Sequence, residues 1–340
     1  MHSSSTSSGP RAARWSRRAM LAAAGLAAAC GGTAAWAQSA GAYPQRPLTL
    51  IVPYPAGGAN DAIGRLVGQK LSDALGQPVV IDNRPGAGTT IGTALAAKAP
   101  ADGYTLVLGS LASHAVGPHL IAKAGYDPVR DFAPIGLIGT APIIATVAKD
   151  SKYATLKAVV DDAKAHPGEV MYGSAGNGSP LHLAGELFNQ AANVKLVHVP
   201  YKGGNAHTLD LIGGRLAVIF DTSTAAMPMI RSDKIRALAV ASPSRLPELS
   251  GVPTFAEAGY PNFEVNAWYA LYAPARTPQP VVARLSAELG KVMALPDVQD
   301  KLRGFAVRPA YGSPQELGQF TQSEYAKYGQ VIKSASITVD

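Results

Sequence analysis

Cysteine is almost absent from this chain of 340 residues, because Cys30 is its only one. Cys30 lies in an N-terminal segment that we expect to be removed, which would leave no disulfide, thiol nucleophile or cysteine metal ligand. A lipid anchor on Cys30 is disfavoured because Ala27, Ala28 and Ala29 precede it, without the large aliphatic residue expected upstream. The histidines lack metal-ligand spacing as well, so we expect no bound metal.

Long apolar runs are missing too. The N-terminal apolar stretch, residues 19–29, is shorter than the roughly 20 residues that cross a bilayer as a helix. It follows four arginines without an acidic residue, and Ala35-Trp36-Ala37 behind it has the small-x-small form of a signal-peptidase site. We therefore expect residues 1–37 to be a signal peptide and the mature protein to be periplasmic. The pair Arg17-Arg18 leaves twin-arginine export open.

Strong charge of one sign is absent once the leader is removed. The whole chain carries a formal net charge of +7, and four of its arginines lie in the leader. The remaining mild positive bias suits small anions, but the chain has no clustered lysine and arginine stripe, which argues against a nucleic-acid partner. About 300 residues remain, enough for two domains of ordinary size.

Catalytic signatures are missing. The sequence has no Gly-x-Ser-x-Gly elbow, no His-Glu-x-x-His and no phosphate-binding loop, so we expect a protein that is not an enzyme. The run Gly86 to Gly92 resembles a dinucleotide loop, but its last glycine is one residue late and Arg84-Pro85 interrupts the entry from the strand. We interpret the run as a tight turn with small residues for helix packing, and we expect no cofactor.

Short apolar runs alternate with helical patterns along the chain. This alternation predicts an α/β fold with parallel sheets covered by helices. The predicted strands are residues 48–52, 79–81, 105–108, 143–147, 170–172, 196–199, 217–220 and 237–240. Longer strand regions at residues 135–148 and 263–273 could each cross between two lobes.

Helix ends are marked by capping residues. Asn60 or Asp61 would cap a helix that stops at Gly76, and Thr155 would open a helix that stops at Pro167-Gly168. Ser313 to Glu316 forms a capping box for a last helix of about residues 314–333, which we expect to lie on a sheet.

The most informative feature is a glycine-containing loop between a strand and a helix, here called the first loop, residues 53–61. Its glycines can orient successive N–H groups toward one point, where the helix N-terminus also favours negative charge. The alternative is a simple tight bend. The expected ligand-binding residues here are Tyr54, Ala56, Gly57, Gly58, Ala59 and Asn60.

A second loop, residues 172–179, repeats this arrangement between a short strand and a helix. Donors dominate both loops, so together they could hold two carboxylates. The expected ligand-binding residues here are Ser174, Gly176, Asn177, Gly178 and Ser179.

Further polar candidates follow other strands. Ser110, Ser113 and His114 come at the carboxyl end of a strand, where open α/β sheets bind ligands, although helix capping is an equal alternative. His182 could contact a ligand carboxylate or be satisfied by backbone. The same choice applies to Tyr201, next to a possible third turn at residues 202–204.

Asp221 ends an apolar strand and is either a helix N-cap or a cleft carboxylate that accepts a hydrogen bond from a ligand; we favour the cleft. Three arginines could form direct salt bridges with an acid, but none lies inside a loop, so we expect structural roles for Arg65, Arg84 and Arg215.

Several separate motifs resemble one family, the Bug family of extracytoplasmic solute receptors of tripartite tricarboxylate transporters. The motifs occur in the family's order and cover essentially all of the mature chain. They are Tyr43-Pro44, Ile51 to Tyr54 with Gly57-Gly58 and Asp61, Val79 to Gly88, Ala101 to Leu106, Tyr126 to Pro134, and His198 to Gly203.

The resemblance implies a two-lobed periplasmic-binding-protein fold of type II that closes on a carboxylate without metal. It also implies that the loops matching Tyr54–Asp61 and Gly173–Ser179 bind the carboxylate through backbone donors and ordered water. With two interlobe crossings, we expect lobe 1 to comprise residues 43–143 plus 264–340, and lobe 2 residues 144–263. Residues 110–114 are less uniformly rich in serine and threonine than expected, which leaves the identity of the carboxylate open.

We therefore expect a monomeric periplasmic receptor that captures a small organic carboxylate, in first place a dicarboxylate. Its partner would be the membrane subunits of a tripartite tricarboxylate transporter. The alternatives are a periplasmic ligand sensor for a signalling system, which also needs only ligand-driven closure, and an enzyme acting on an acid on the same fold.

Overall fold

One mixed sheet of ten strands organises the chain in this computed structural model, which describes residues 43–201, 206–261, 263 and 265–338. The expected signal peptide and the possible turn at residues 202–204 lie outside the described residues. The strands are β1 Leu48–Val52, β2 Val79–Asn83, β3 Thr105–Ser110, β4 Phe132–Ala148, β5 Met171–Ser174, β6 Val197–Pro200, β7 Val218–Thr222, β8 Ile235–Val240, β9 Asn266–Pro274 and β10 Arg308–Gly312.

Two groups of parallel strands are joined by long antiparallel ones. In the first group β1 pairs with β2 and β3, and in the second β5 pairs with β6 and β7. The main strand order is β2-β1-β3-β9-β4-β7-β5-β6, with β8 and β10 also paired to β4. The mixed α/β fold is therefore confirmed. The predicted parallel strands form these two groups, but the antiparallel pairing of β4 with β7, β8, β9 and β10 was not predicted.

Helices connect the strands. The α-helices are α1 Ala59–Leu75, α2 Thr90–Ala97, α3 Gly117–Leu120, α4 Leu156–Ala165, α5 Pro180–Ala192, α6 Ala206–Ile212, α7 Ser223–Arg231, α8 Gln279–Met293, α9 Pro296–Gly304 and α10 Pro314–Ser334. A π-helical turn, Ala112–Val116, leads into α3. No helix among the described residues is both long enough and apolar enough to cross a membrane.

Most predicted helix ends are confirmed. Gly76 ends α1 in the left-handed region, Thr155 caps α4 by accepting the Ala158 N–H, and Ser313 forms the predicted capping box with Glu316. The N-cap of α1 was predicted two or three residues too late, because Gly58 occupies that position and Asp61 bonds to the loop instead.

The core fixes the sheet beneath the loops. Leu50 and Leu106 of β1 and β3 are fully buried, as are Trp268 and Tyr272 of β9. Helix α10 lies on the sheet as predicted, and its Leu317 is buried. Burying this apolar surface removes it from water and stabilises the sheet on which the loops are built.

Candidate functional site

The candidate site is a cavity of about 690 Å³ where the carboxyl ends of β1, β3, β5 and β7 meet. Open α/β sheets bind ligands at this edge, because the loops that leave neighbouring strands converge there. Six of the sequence-predicted residues line the cavity: Tyr54, Asn60, Ser110, Asn177, Gly178 and Ser179. The first and second loops therefore reach one common space.

The other predicted residues are not among those that line the cavity. Their part in ligand binding stays a prediction. They are Ala56, Gly57, Gly58, Ala59, Ser113, His114, Ser174, Gly176, His182, Tyr201 and Asp221.

Asp61 holds the first loop in place. Its buried carboxylate accepts hydrogen bonds from the Gly57 N–H, the Arg65 guanidinium and the Asn83 amide, each at 2.9 Å. Asn83 also donates to the Tyr54 carbonyl at 3.1 Å, which ties the loop to β2. The hydrogen bond from Arg65 is the main cause that lowers the pKa of Asp61 to about 2. Asp61 is thus ionised and part of the loop's internal scaffold.

The first loop presents unpaired donors beyond this scaffold. The Gly57 N–H is used by Asp61, whereas the N–H groups of Gly58, Ala59 and Asn60 have no hydrogen-bond partner among the described residues. Free N–H groups at a helix N-terminus, together with the helix dipole, favour an anion. Asn60, which lines the cavity, belongs to this donor group.

A row of hydroxyl groups runs from the cavity into the core. We call Tyr54, Ser110, Ser113 and His114 the hydroxyl row. Tyr54 Oη lies 2.7 Å from Ser110 Oγ, Ser110 Oγ lies 3.2 Å from Ser113 Oγ, and Ser113 Oγ lies 2.9 Å from His114 Nδ1. Burial raises the pKa of Tyr54 to about 12, so its hydroxyl keeps its proton at neutral pH. Tyr54 forms the end of the row in the cavity.

His114 forms the inner end of the row and is enclosed by aromatic rings. Its imidazole stacks on Tyr272 with ring centroids 4.1 Å apart and packs against Phe132 at 4.7 Å. Burial lowers the pKa of His114 to about 3, because the charged form would lose its hydration. His114 is therefore neutral and has no surface from which to contact a ligand directly.

The second loop is fixed by internal hydrogen bonds. The Ser174 hydroxyl lies 2.6 Å from His198 Nε2, and its oxygen accepts the Gly176 N–H at 3.1 Å. The Ser179 hydroxyl caps α5 by accepting the His182 N–H. The Asn177 N–H has no partner among the described residues and lies at the cavity. The loop therefore offers a donor at the N-terminus of a second helix.

His182 supports the second loop through its side chain. Its Nδ1 accepts the Gly178 N–H at 3.0 Å, which requires a neutral ring with the proton on Nε2. The ring stacks on His198 with centroids 3.7 Å apart. Burial lowers the pKa of His182. The pKa of His198 is lowered to about 4, mainly by burial and to a smaller extent by the neighbouring His182. Both rings are neutral at pH 7.

Tyr201 and Asp221 have partners inside the protein. The Tyr201 hydroxyl donates to Asp210 at 2.6 Å. Asp221 is buried, with one oxygen 3.2 Å from His207 Nε2 and the other accepting the Thr222 N–H at 2.7 Å. Asp221 therefore orients the end of β7, where Thr222 lines the cavity.

Several cavity residues were not found by sequence reasoning. Trp268 and Tyr269 come from β9, and Thr224 lies just after β7.

The turn at Gly86–Thr89 contributes Gly86, Gly88 and Thr89. It has positive φ at each of its four positions. A Cβ on Gly92 would lie 2.5 Å from the Arg84 carbonyl oxygen, which confirms the predicted close helix packing behind this turn.

One side of the cavity is apolar. Leu111, Val116, Leu120 and Ile121 come from the segment after β3, and Leu181 comes from the start of α5. No residue described as lining the cavity is Asp, Glu, Lys, Arg or His. An anion in this space would meet neutral hydrogen-bond donors rather than a charged side chain.

The predicted structural roles of the three arginines are confirmed. Arg65 pairs with Asp61, Arg84 with Asp82, and Arg215 with Asp210. Among the described parts of the chain, no group of three His, Cys, Asp or Glu residues is placed to hold a metal ion.

A separate surface depression of about 700 Å³ has a different character. It is lined by charged groups that already pair with one another: Asp162 accepts from Lys152 and lies 2.8 Å from His166 Nδ1. Its lining includes Met171, the first residue of β5, and no residue of the first or second loop, so the cavity at the carboxyl ends of β1, β3, β5 and β7 remains the candidate site.

The fold and the cavity define the class of protein. A solved structure described as a periplasmic transporter is 37% identical with a TM-score of 0.78, and it covers 88% of this chain and 100% of its own. The periplasmic binding protein BugD is 32% identical with a TM-score of 0.75, covering 87% of this chain and 99% of its own. The chain thus has the fold of the periplasmic binding proteins, as predicted.

Residues 63–337 match the profile described as the tripartite tricarboxylate transporter family receptor. The chain belongs to this family, which confirms the resemblance found in the sequence. It is 40% identical over 333 residues to a protein of the tcbD–tcbE intergenic region of a Pseudomonas species, covering 98% of this chain and 97% of that protein. It is 36% identical to protein BugT of Bordetella pertussis, covering 92% and 96%.

A relative of known ligand is also similar. An R. palustris protein solved with adipate is 36% identical with a TM-score of 0.79, and covers 87% of this chain and 99% of its own.

Proposed function

We propose that this protein is a periplasmic receptor that captures a small organic carboxylate and delivers it to membrane subunits of a tripartite tricarboxylate transporter. The observation that carries the proposal is the pair of helix N-termini, α1 and α5, that border one cavity without a charged side chain among its described lining residues. Backbone N–H groups and helix dipoles stabilise an anion in such a site.

The donors at the cavity match a carboxylate in number and kind. Asn60 and Asn177 supply N–H groups that have no partner among the described residues, and the Tyr54 hydroxyl, hydrogen-bonded to Ser110, lies at the same space. A carboxylate has two oxygens that accept several hydrogen bonds, and such charge-assisted bonds are worth roughly 1.5–3 kcal/mol each. The adipate complex of the R. palustris relative supports a dicarboxylate as the first compound to test.

We infer that the ligand is enclosed by movement of two lobes, residues 43–143 plus 264–340 and residues 144–263. The first part of β4 pairs with β9 and β10, whereas its last part, from Ile143, pairs with β7 and β8. A strand shared in this way supports a hinge close to residue 143. We expect a monomer without metal, cofactor or catalytic activity.

The experiment is calorimetry on the mature protein, residues 38–340, with adipate, other dicarboxylates and monocarboxylates of matched length. The matched control ligand is adipamide, which keeps the chain length but removes both negative charges. We expect an acid to bind, equally well with and without a chelator, and the diamide to bind at least tenfold more weakly. Equal binding of acid and diamide would refute carboxylate recognition, and loss of binding in chelator would refute a metal-free site.

Delivery and location need tests in cells. Native mass spectrometry of protein released from the periplasm should show a mature N-terminus at Gln38 and a co-purified acid. Deleting the gene should abolish uptake of that acid if the protein is a transport receptor. Unchanged uptake combined with loss of a transcriptional response to the acid would instead favour the ligand sensor.

A further inference from the structure

We propose that His114 is a positioning residue that sets the direction of every hydrogen bond in the hydroxyl row, so that Tyr54 donates its proton into the cavity. The inference rests on the proposed function in one respect, namely that the ligand presents an acceptor to Tyr54. The direction of the row itself follows from the contacts of His114, Ser113 and Ser110.

The direction begins at the buried end of the row. His114 Nε2 has no hydrogen-bond partner among the described residues, and the ring lies between Tyr272 and Phe132. A neutral imidazole carries one proton, on Nδ1 or on Nε2. A buried N–H without an acceptor is rarer in proteins than an under-used acceptor. The proton therefore belongs on Nδ1, where Ser113 Oγ accepts it at 2.9 Å.

The hydrogen bond from His114 fixes the direction in which the Ser113 hydroxyl donates. Its oxygen accepts the Ser110 N–H at 2.9 Å and the His114 Nδ1–H at 2.9 Å, which occupies both lone pairs of the hydroxyl. The Ser113 proton must then point back to Ser110, whose Oγ lies at 3.2 Å and whose carbonyl oxygen lies at 3.3 Å. Ser113 cannot accept a third hydrogen bond from the Ser110 hydroxyl.

Among the described residues, one acceptor is then left for the proton of the nearly buried Ser110 hydroxyl, the Tyr54 oxygen at 2.7 Å. Because the Tyr54 oxygen accepts the Ser110 proton, the proton of the Tyr54 hydroxyl itself has no acceptor among the described residues. Tyr54 lines the cavity, so its O–H is available to a ligand or to water there. In the opposite order Tyr54 would donate to Ser110 and present only lone pairs, which would repel a carboxylate.

The first test reads the tautomer directly and needs no ligand. Two-dimensional NMR of protein labelled with ¹⁵N-histidine at pH 7 distinguishes the two nitrogens, and a His114→Asn spectrum assigns the His114 signals by their disappearance. We expect a neutral ring with its proton on Nδ1. A proton on Nε2 would reverse the row and overturn the proposal. This result stands whether or not a carboxylate binds.

The second test measures adipate affinity by calorimetry. Tyr54→Phe should weaken binding about tenfold, the loss expected for one hydrogen bond. His114→Phe keeps an aromatic ring between Tyr272 and Phe132 but removes the Nδ1–H donor, so it should weaken adipate binding by a similar factor. Because both changes remove the same donated proton, the double variant should lose no more than the larger single loss.

Two further variants separate direction from packing. His114→Asn places an amide N–H near the position of Nδ1 and should restore affinity to within about threefold of wild type. Tyr272→Phe keeps the ring stacked on His114 and removes a hydroxyl bonded to Thr321, so it should leave affinity unchanged. Additive losses for Tyr54→Phe and His114→Phe, or full affinity in Tyr54→Phe, would overturn the proposal. If wild type binds no acid, the carboxylate function fails and the NMR result alone decides the direction.

Discussion

The Asp61 carboxylate accepts the backbone N–H of Gly57 at 2.9 Å, so a side chain on the first turn of α1 holds the loop that precedes it. The same carboxylate pairs with Arg65 one turn later in the helix. A buried acid in this position stabilises the loop only while it is ionised, because its protonated form would lose the attraction of Arg65.

Asp61→Asn should therefore destabilise the protein at neutral pH. The folded-state pKa of Asp61 is lowered from 3.8 to about 2, so its contribution is present above pH 3.8 and is lost as the pH falls toward 2. Since Arg65 is half exposed, we expect a loss of about 1–2 kcal/mol in the free energy of unfolding. Urea denaturation at pH 7 and at pH 3 measures the effect, and the difference from wild type should shrink at pH 3.

The matched control is Asp73→Asn, an exposed acid in the same helix whose one hydrogen-bond partner among the described residues is the Gln69 amide. This change should alter stability by less than about 0.5 kcal/mol. Equal losses for both variants would show that Asp61 acts through helix charge in general rather than through Gly57 and Arg65.

Two glycines of similar conformation separate ligand binding from backbone strain. Gly57 has φ +86° and Gly76 has φ +69°, and a Cβ would meet no atom within 4 Å at either position. Valine at either position should cost about 1–2 kcal/mol of stability, because it disfavours positive φ. Only Gly57→Val should also weaken acid binding, by tenfold or more, since it moves the donors that follow it. Calorimetry with both variants decides this, and an equal loss of affinity at Gly76 would contradict it.

The fold was largely predictable where sequence signals are local. Strand β1 was predicted with its observed bounds, Leu48–Val52, because a run of four apolar residues and one threonine precedes a glycine loop. Strand β10 was missed, since Arg308–Gly312 contains proline and glycine and no run of branched apolar residues. It forms by pairing with β4, a partner far away in sequence.

The candidate site, like the fold, was predictable where it depends on local sequence features. Both loops were found from glycines and the helices that follow, which are local features. The contributions of Trp268 and Tyr269 were not, because they depend on β9 lying beside β3. The use of the Gly57 N–H by Asp61 was missed for a related reason: either residue alone is compatible with a free loop or a helix cap.

Buried neutral histidines predict an acid-sensitive fold. Burial lowers the pKa of His114 to about 3, against 6.5 for the unfolded chain. Between these pH values only the unfolded state binds the proton, so the free energy of unfolding falls as the pH drops below 6.5. The expected fall is about 1.4 kcal/mol per pH unit for one such histidine. His114→Phe should make the slope between pH 6.5 and 5 shallower by this amount.

Urea denaturation across this pH range measures the slope. Tyr272→Phe, which alters the same aromatic surroundings without removing a titrating imidazole, should keep the wild-type slope. A His114→Phe slope equal to that of wild type would mean that His114 is charged in the fold or that the unfolded chain does not protonate it.

The proposed hinge can be tested because residues 38–340 contain no cysteine. Cysteines at Asp73 and Ala165, which are exposed on α1 and α4, would place one spin label on each proposed lobe. Closure around the ligand should shorten the distance between these labels when adipate, or the acid identified by mass spectrometry, is added at saturation. Pulsed electron resonance measures the distance distribution directly.

A second pair, at Asp73 and Gln319, places both labels on exposed positions of proposed lobe 1. Its distance should not change with ligand, because both positions move with the same body. In Gly178→Val, which alters a second-loop residue with φ +71° at the cavity, the interlobe pair should respond only at higher ligand concentration. An interlobe distance that stays constant at saturating ligand would show that the acid binds without closure, and the division at residues 143 and 264 would then be wrong.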